Sequence, residues 1–193
     1  MLFDIYVISL LFIAGLFIGM LSILYGVRGM SLHNMRASYC SCCHVSYHIS
    51  DLLPIISYFL NRGKCKYCHH KFPFYFPLLE LLTGILFSFS YITYGFSYEM
   101  FVMILLTVML VNIFVSDFTY YIILDNLLLI MSFLVLLLKF LFFGFETFLI
   151  SICSGIILFL FMMIVRFIGD RIFQDESLGG GDIKLAAIIG ITL

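Results

Sequence analysis

The stretch from Gly179 to Asp182 places three glycines and a carboxylate at the mouth of an apolar segment. Glycine lets the backbone take positive φ and lets another chain approach closely. An ionisable side chain at the edge of a membrane segment is costly, and it marks a candidate functional site. A glycine-rich turn ended by a helix-capping Asp would look the same. The functional interpretation therefore depends on whether the chain supplies a second carboxylate.

Two cysteine pairs form another candidate site. Cys40 and Cys43 precede Cys65 and Cys68, with 21 residues between the pairs. Each pair can wrap one face of a metal, and four thiolates suit tetrahedral Zn²⁺. The spacing favours a structural zinc over a dithiol or free thiols. Nearby side chains that offer a spare thiol or an alternative ligand are Cys42, His44, His69 and His70.

The amino-acid composition indicates which class of protein holds these residues. The 193 residues are 64% hydrophobic and 11% charged, whereas soluble domains are roughly 45–50% apolar and about 25% charged. The apolar N-terminus carries Asp4 rather than a basic region, and no small-residue cleavage pattern follows, which favours a first span over a removed signal peptide. We expect an all-α, polytopic membrane bundle of about six helices with a cytoplasmic Cys-rich loop.

Three segments follow from the distribution of apolar residues. Residues 1–26 hold the first transmembrane helix, 27–73 the Cys-rich, zinc-ribbon-like loop, and 74–193 the remaining core. The last span reaches Leu193 after about a dozen residues, short of the roughly 20 that a bilayer needs. We therefore expect either a shortened last segment or a core that lacks its C-terminal helix or helices. The predicted spans are 5–26, 74–95, 99–116, 126–143, 147–168 and one beginning near 183.

Lysine and arginine set the orientation. Strict alternation of the spans puts 27–72, 117–125 and 166–184 on one side, and these segments carry nine of the ten basic residues. That side is expected to be the cytoplasm. Asp117 and Asp182 then lie at similar depth on one membrane face.

Two carboxylates placed in this way can share a proton, so that one acts as general base and the other as general acid. Water activated between them can attack a peptide carbonyl. Other interpretations are helix capping or interfacial solvation of each aspartate, a transporter with a carboxylate proton relay, and a zinc-loop scaffold that binds a partner. Of these interpretations, only the aspartyl protease requires both aspartates for proteolysis.

Several motifs resemble those of the bacterial type IV prepilin peptidases, which are GxGD membrane aspartyl proteases of peptidase family A24. The resemblance covers nearly the whole chain, and Ile23 stands where the family has Asn. The matching stretches in the first half are Gly19 with Arg28, Asp51-Leu52-Leu53-Pro54, Arg62-Gly63-Lys64-Cys65 and Pro77-Leu78-Leu79-Glu80-Leu81-Leu82-Thr83-Gly84.

In the second half, Asp117 occupies the family's first catalytic position. Thr119 replaces a frequent second acid, Leu124 replaces a proline, and Asp125 ends that motif. The family's second catalytic motif matches without departure through Glu176, Gly179, Gly181, Asp182 and Lys184. The resemblance therefore implies Asp117 and Asp182 as the catalytic pair.

The resemblance also implies a substrate and a location. The expected reaction is removal of a short basic leader from type IV prepilins or pseudopilins, after a glycine, at the cytoplasmic face of the bacterial inner membrane. Bifunctional members then N-methylate the new N-terminus with S-adenosylmethionine, and the Cys loop is typical of that form. No glycine-rich dinucleotide fingerprint appears, so no residue is assigned to this cofactor. The expected partners are prepilins and the lipid bilayer, and no nucleic acid.

Three further charged residues have simpler expected roles. Asp125 is expected to cap the span that follows it. Lys184 either tunes the charge state of Asp182 or extends to the membrane interface, with the second favoured. Glu80, a few residues inside a span, is expected to pair with basic residues of the Cys-rich loop.

Overall fold

The computed structural model describes residues 2–28, 43, 53–121, 125–173 and 178–192. Within these ranges the chain is helical apart from turns and one isolated antiparallel bridge, between Lys64 and Lys71. The helices are α1 (Leu2–Arg28), α2 (Ile56–Leu60), α3 (Tyr75–Tyr94), α4 (Tyr98–Tyr120), α5 (Asp125–Phe143), α6 (Phe145–Phe173) and α7 (Gly180–Thr192).

Five of the described helices, α1 and α3 to α6, are long and apolar enough to cross a bilayer. The prediction of an all-α, polytopic membrane protein is therefore confirmed. The helix ends differ from the predicted spans because backbone hydrogen bonding continues past the last apolar residue. As a result α4 runs on to Tyr120 and includes Asp117, while α7 begins at Gly180 and includes Asp182.

The chain divides into two compact units, Met1–Tyr121 and Ile122–Leu193. In the first unit, α1, α3 and α4 pack against one another. A Cβ on Gly15 would lie 2.8 Å from the Cα of Gly84, so these two glycines let α1 and α3 approach closely. Because the hydrophobic effect does not drive helices together in lipid, such close backbone packing is a main contribution to helix association.

In the second unit, α7 packs along α6 through small residues. A Cβ on Gly190 would lie 2.8 Å from the carbonyl oxygen of Ser154 and 3.0 Å from the Cα of Gly155. The hydroxyl of Ser154 also donates a 2.6 Å hydrogen bond to the carbonyl of Gly190. These contacts fix the C-terminal half of α7 against α6.

Candidate active site

Asp117 lies in the last turn of α4, within the first unit, and its side chain is exposed. The two residues before it face inward: Val115 is fully buried against Ile23 and Leu79, and Ser116 is buried as well. Since successive helix positions are rotated by about 100°, burial of these neighbours directs Asp117 outward. Packing of α4 therefore presents the carboxylate at an accessible helix end.

Aromatic rings surround this helix end. The rings of Phe114 and Phe118 stack at 5.5 Å, and Tyr75 of α3 lies 5.4 Å from Phe118. Thr119, which replaces the family's frequent second acid, donates its hydroxyl to the carbonyl of Val115 at 2.7 Å. Its side chain thus bonds to its own helix.

Asp182 lies in the first turn of α7, within the second unit, and is exposed. Its backbone N–H donates to the carbonyl of Gly179 at 3.2 Å. A Cβ placed on Gly179 would lie only 3.2 Å from the Asp182 Oδ2. The carboxylate therefore occupies the space that a side chain at position 179 would need. This contact gives a physical reason for the first glycine of the Gly-x-Gly-Asp motif.

The neighbouring glycines are placed differently. A Cβ on Gly180 would meet its nearest neighbour, Arg166 Nη1, at an ordinary 3.7 Å. Gly181 is half-buried at the start of α7. The steric demand on the Asp182 carboxylate thus comes from position 179 and not from position 180.

Lys184 has a partner that the sequence did not reveal. Its Nζ lies 2.6 Å from the Oδ1 of Asp125, the first residue of α5. Neither the expected tuning of Asp182 nor extension to the interface describes this ion pair. Asp125, expected only to cap its helix, also carries a charge-assisted hydrogen bond to α7. Glu176, the remaining acid of the motif, lies outside the described residues.

Glu80 also binds a different group from the one expected. It is buried on α3, and its Oε2 accepts a 2.6 Å hydrogen bond from the backbone N–H of Ile55. Ile55 has φ of 60°, an unusual value for a β-branched residue. The carboxylate thus anchors a strained turn of the Cys-rich loop to the membrane core.

The cysteine loop forms a compact hairpin in its second half. The N–H of Cys65 donates to the carbonyl of His70 at 2.8 Å, and the N–H of His69 donates back to Cys65 at 3.0 Å. Gly63, just before this hairpin, has φ of 67° and leaves no room for a Cβ beside the Tyr58 hydroxyl, which would lie 2.8 Å away. The Arg-Gly-Lys-Cys stretch therefore needs its glycine.

Three of the four predicted metal ligands converge. The sulfurs of Cys43, Cys65 and Cys68 all lie within 4.8 Å of one another, and the Cys43–Cys65 distance is 4.0 Å. Tetrahedral Zn²⁺ with Zn–S bonds of 2.3 Å needs sulfurs about 3.8 Å apart. The donor set therefore fits zinc. The fourth predicted ligand, Cys40, lies outside the described residues.

Comparison with known proteins gives a consistent result. Residues 10–94 match the family described as Bacterial Peptidase A24 N-terminal domain, and residues 104–193 match the Type IV leader peptidase family. No solved structure matches the chain significantly.

Several curated relatives carry the name prepilin leader peptidase/N-methyltransferase. The protein from Bacillus subtilis is 31% identical over 96% of this chain and 73% of its own length. Those from Vibrio cholerae and Myxococcus xanthus are 31% and 30% identical, each over 79% of this chain, and are covered over 60% and 45% of their own lengths.

The helices, motifs and relatives together define a polytopic peptidase of the bacterial inner membrane. The chain belongs to the type IV leader peptidase family. This membership confirms the family and the protease activity predicted from the sequence, and it does not favour the transporter alternative.

Proposed function

We propose that this chain is a membrane aspartyl endopeptidase that removes the leader of type IV prepilins or pseudopilins, with Asp117 and Asp182 as its catalytic residues. The observation that carries the assignment is the Asp182 carboxylate, which is exposed at the start of α7 and packed over Gly179 within an intact family motif. Asp117 supports it through its exposure at the end of α4.

The proposed chemistry is water-mediated hydrolysis with one proton shared by the two carboxyl groups. The ionised carboxylate takes a proton from water, whose oxygen attacks the scissile carbonyl carbon, while the protonated carboxyl gives its proton to the carbonyl oxygen. The resulting tetrahedral diol collapses: the C–N bond breaks, the leaving nitrogen takes a proton, and the leader departs with a new carboxyl group.

The proposed cleavage takes place at the cytoplasmic face. The distribution of Lys and Arg supports this orientation, because nine of the ten basic residues fall in the segments assigned to that side. The proposed substrate has a short basic leader that is cleaved after a glycine.

The segment 27–73 is proposed as a zinc-stabilised loop domain held by Cys40, Cys43, Cys65 and Cys68. Convergence of three of these sulfurs supports the site. Bound zinc would hold the loop together through coordination by the cysteine thiolates, as structural zinc does in other small modules. The hairpin would then hold Cys65 in place through its backbone hydrogen bonds with His70 and His69.

Methylation of the new N-terminus with S-adenosylmethionine is a second proposed activity. It is supported by the name of the Bacillus subtilis relative, which joins a leader peptidase to an N-methyltransferase. Gly179, Gly181, Asp182 and Lys184 belong to the proteolytic motif, and no residue of this chain is assigned to the methyl donor.

Co-expression with a tagged prepilin tests both activities in one readout. Mass spectrometry of the pilin should show loss of the leader and, if methyl transfer occurs, a new N-terminus heavier by one methyl group. The Asp182→Asn variant should leave the prepilin intact. Leader loss that persists at the wild-type level in Asp182→Asn would reject the assignment of Asp182.

A further inference from the structure

We propose that the ion pair between Lys184 and Asp125 is a positioning device that fixes the rotation of the first turn of α7 and, through it, the Asp182 carboxylate. The inference rests on the proposed function, since it concerns the same catalytic aspartate. Lys184 and Asp125 act through Asp182 and are positioning residues, not catalytic ones.

The ion pair joins two helices close to Asp182. The Lys184 Nζ donates to the Asp125 Oδ1 at 2.6 Å, a short contact between oppositely charged groups. It joins the first residue of α5 to the opening turns of α7, two residues beyond Asp182. The ion pair therefore holds one helix relative to another at the end where the carboxylate lies.

Other contacts of α7 lie mainly at its C-terminal end. The close contacts with α6 occur at Gly190, which is about 12 Å along the helix axis from Asp182. Near the start, Ile183 is buried and sets the depth of the first turn. The Lys184–Asp125 bond adds a second point of attachment at this end, on α5, and so constrains the orientation of the first turn.

Lys184 and Asp182 lie on different sides of α7. Side chains two positions apart on a helix do not face each other, since they are rotated by roughly 200°. A tether on Lys184 therefore holds the opposite side of the helix from Asp182. It orients the Asp182 carboxylate without placing the ammonium group beside it, so the pair does not neutralise the charge on which the proposed chemistry depends.

The ion pair is expected to affect the orientation of α7 more than the folding stability of the protein. The Lys184 and Asp125 side chains are 47% and 52% exposed, and exposed ion pairs contribute little to folding stability. Glu146 is likewise an exposed carboxylate in the first turn of a helix, α6, so Glu146→Gln is the matched control.

The test uses the full-length protein in lipid vesicles, with a purified prepilin and kinetics of leader release. Asp125→Asn and Lys184→Gln should each lower kcat on the order of tenfold and leave KM within about twofold, because a misplaced catalytic group slows chemistry more than binding. Lys184→Arg, which keeps the charge, and Glu146→Gln should stay within about twofold of wild type.

The charge-reversed double variant, Asp125→Lys with Lys184→Asp, should recover most of the lost kcat, because it restores an attractive pair between the same two positions. The thermal midpoints of all variants should match wild type. Wild-type kcat in both single variants, or a double variant slower than either, would overturn the inference. Asp182→Asn separates the two claims: if it is inactive while Asp125→Asn and Lys184→Gln are fully active, only the positioning role fails.

Discussion

The contact between Gly179 and Asp182 makes the sharpest prediction. In Gly179→Ala, the new Cβ would lie 3.2 Å from the Asp182 Oδ2, whereas ordinary contact begins at 3.4 Å. Gly179 does not adopt a positive φ, so the backbone accepts alanine and the effect comes from the side chain alone. The carboxylate must therefore move by a few tenths of an ångström.

The size of the effect follows from that displacement. A misplacement of 1 Å at a reacting group costs roughly 100-fold in rate, so a few tenths of an ångström corresponds to roughly three- to tenfold. We expect Gly179→Ala to lower kcat by that factor, which equals about 0.6–1.4 kcal/mol of transition-state stabilisation. KM should be unchanged, because the substrate is held by other groups.

The matched control is Gly180→Ala, whose Cβ would have 3.7 Å to its nearest neighbour. It should retain kcat within about twofold of wild type, as expected for an ordinary surface substitution. The assay is single-turnover leader release in lipid vesicles, with the thermal midpoint recorded for each variant. Equal rates for Gly179→Ala and wild type, or equal losses in the two variants, would refute the steric explanation.

Three further predictions concern the loop and the packing of the helices. The purified protein should carry zinc that is lost in Cys65→Ser and kept in Cys153→Ser, because Cys153 is an exposed cysteine of α6 outside the loop; elemental analysis showing equal zinc in both variants would contradict the site. Glu80→Leu should lose about 1–3 kcal/mol of stability, because the Ile55 N–H loses its acceptor, while Glu80→Gln keeps one; equal melting of the two variants by calorimetry would argue against the anchor. Gly190→Ala should lower the thermal midpoint, since overpacking typically costs 1–3 kcal/mol; an unchanged midpoint would show that α6 and α7 adjust freely.

Much of the fold was predictable from the sequence because the hydrophobic pattern of a membrane protein dictates its spans. The apolar stretches that predicted the crossings correspond to α1 and α3 to α6. The helix ends were not predictable to the residue. Backbone hydrogen bonds extend past the apolar boundary, and this places Asp117 and Asp182 inside α4 and α7 rather than in the turns beside them.

The partners of the charged side chains were harder to predict. Spacing alone suggested an effect of Lys184 on Asp182, but helix geometry turns the ammonium towards Asp125, 59 residues earlier in the chain. Glu80 likewise binds a backbone amide, that of Ile55, and sequence patterns carry no signal for such an acceptor. Both contacts depend on how helices and loops pack in three dimensions.

The cysteine site shows the opposite case. The spacing of the two pairs already contained the ligand geometry, because a C-x2-C turn brings its two sulfurs to one side. The structure accordingly brings Cys43, Cys65 and Cys68 together. The role of Gly63 beside Tyr58 could not be inferred in this way, since it arises from a contact with a ring several residues away.

The central claim is that Asp117 and Asp182 act as one catalytic unit. Its most direct test is the rate of leader release by Asp117→Asn, Asp182→Asn and the double variant, all folded and reconstituted in vesicles. Groups that share one task are strongly non-additive, so each single variant should fall to background and the double variant should be no slower. Near wild-type cleavage in either single variant, or losses that multiply in the double variant, would contradict the account.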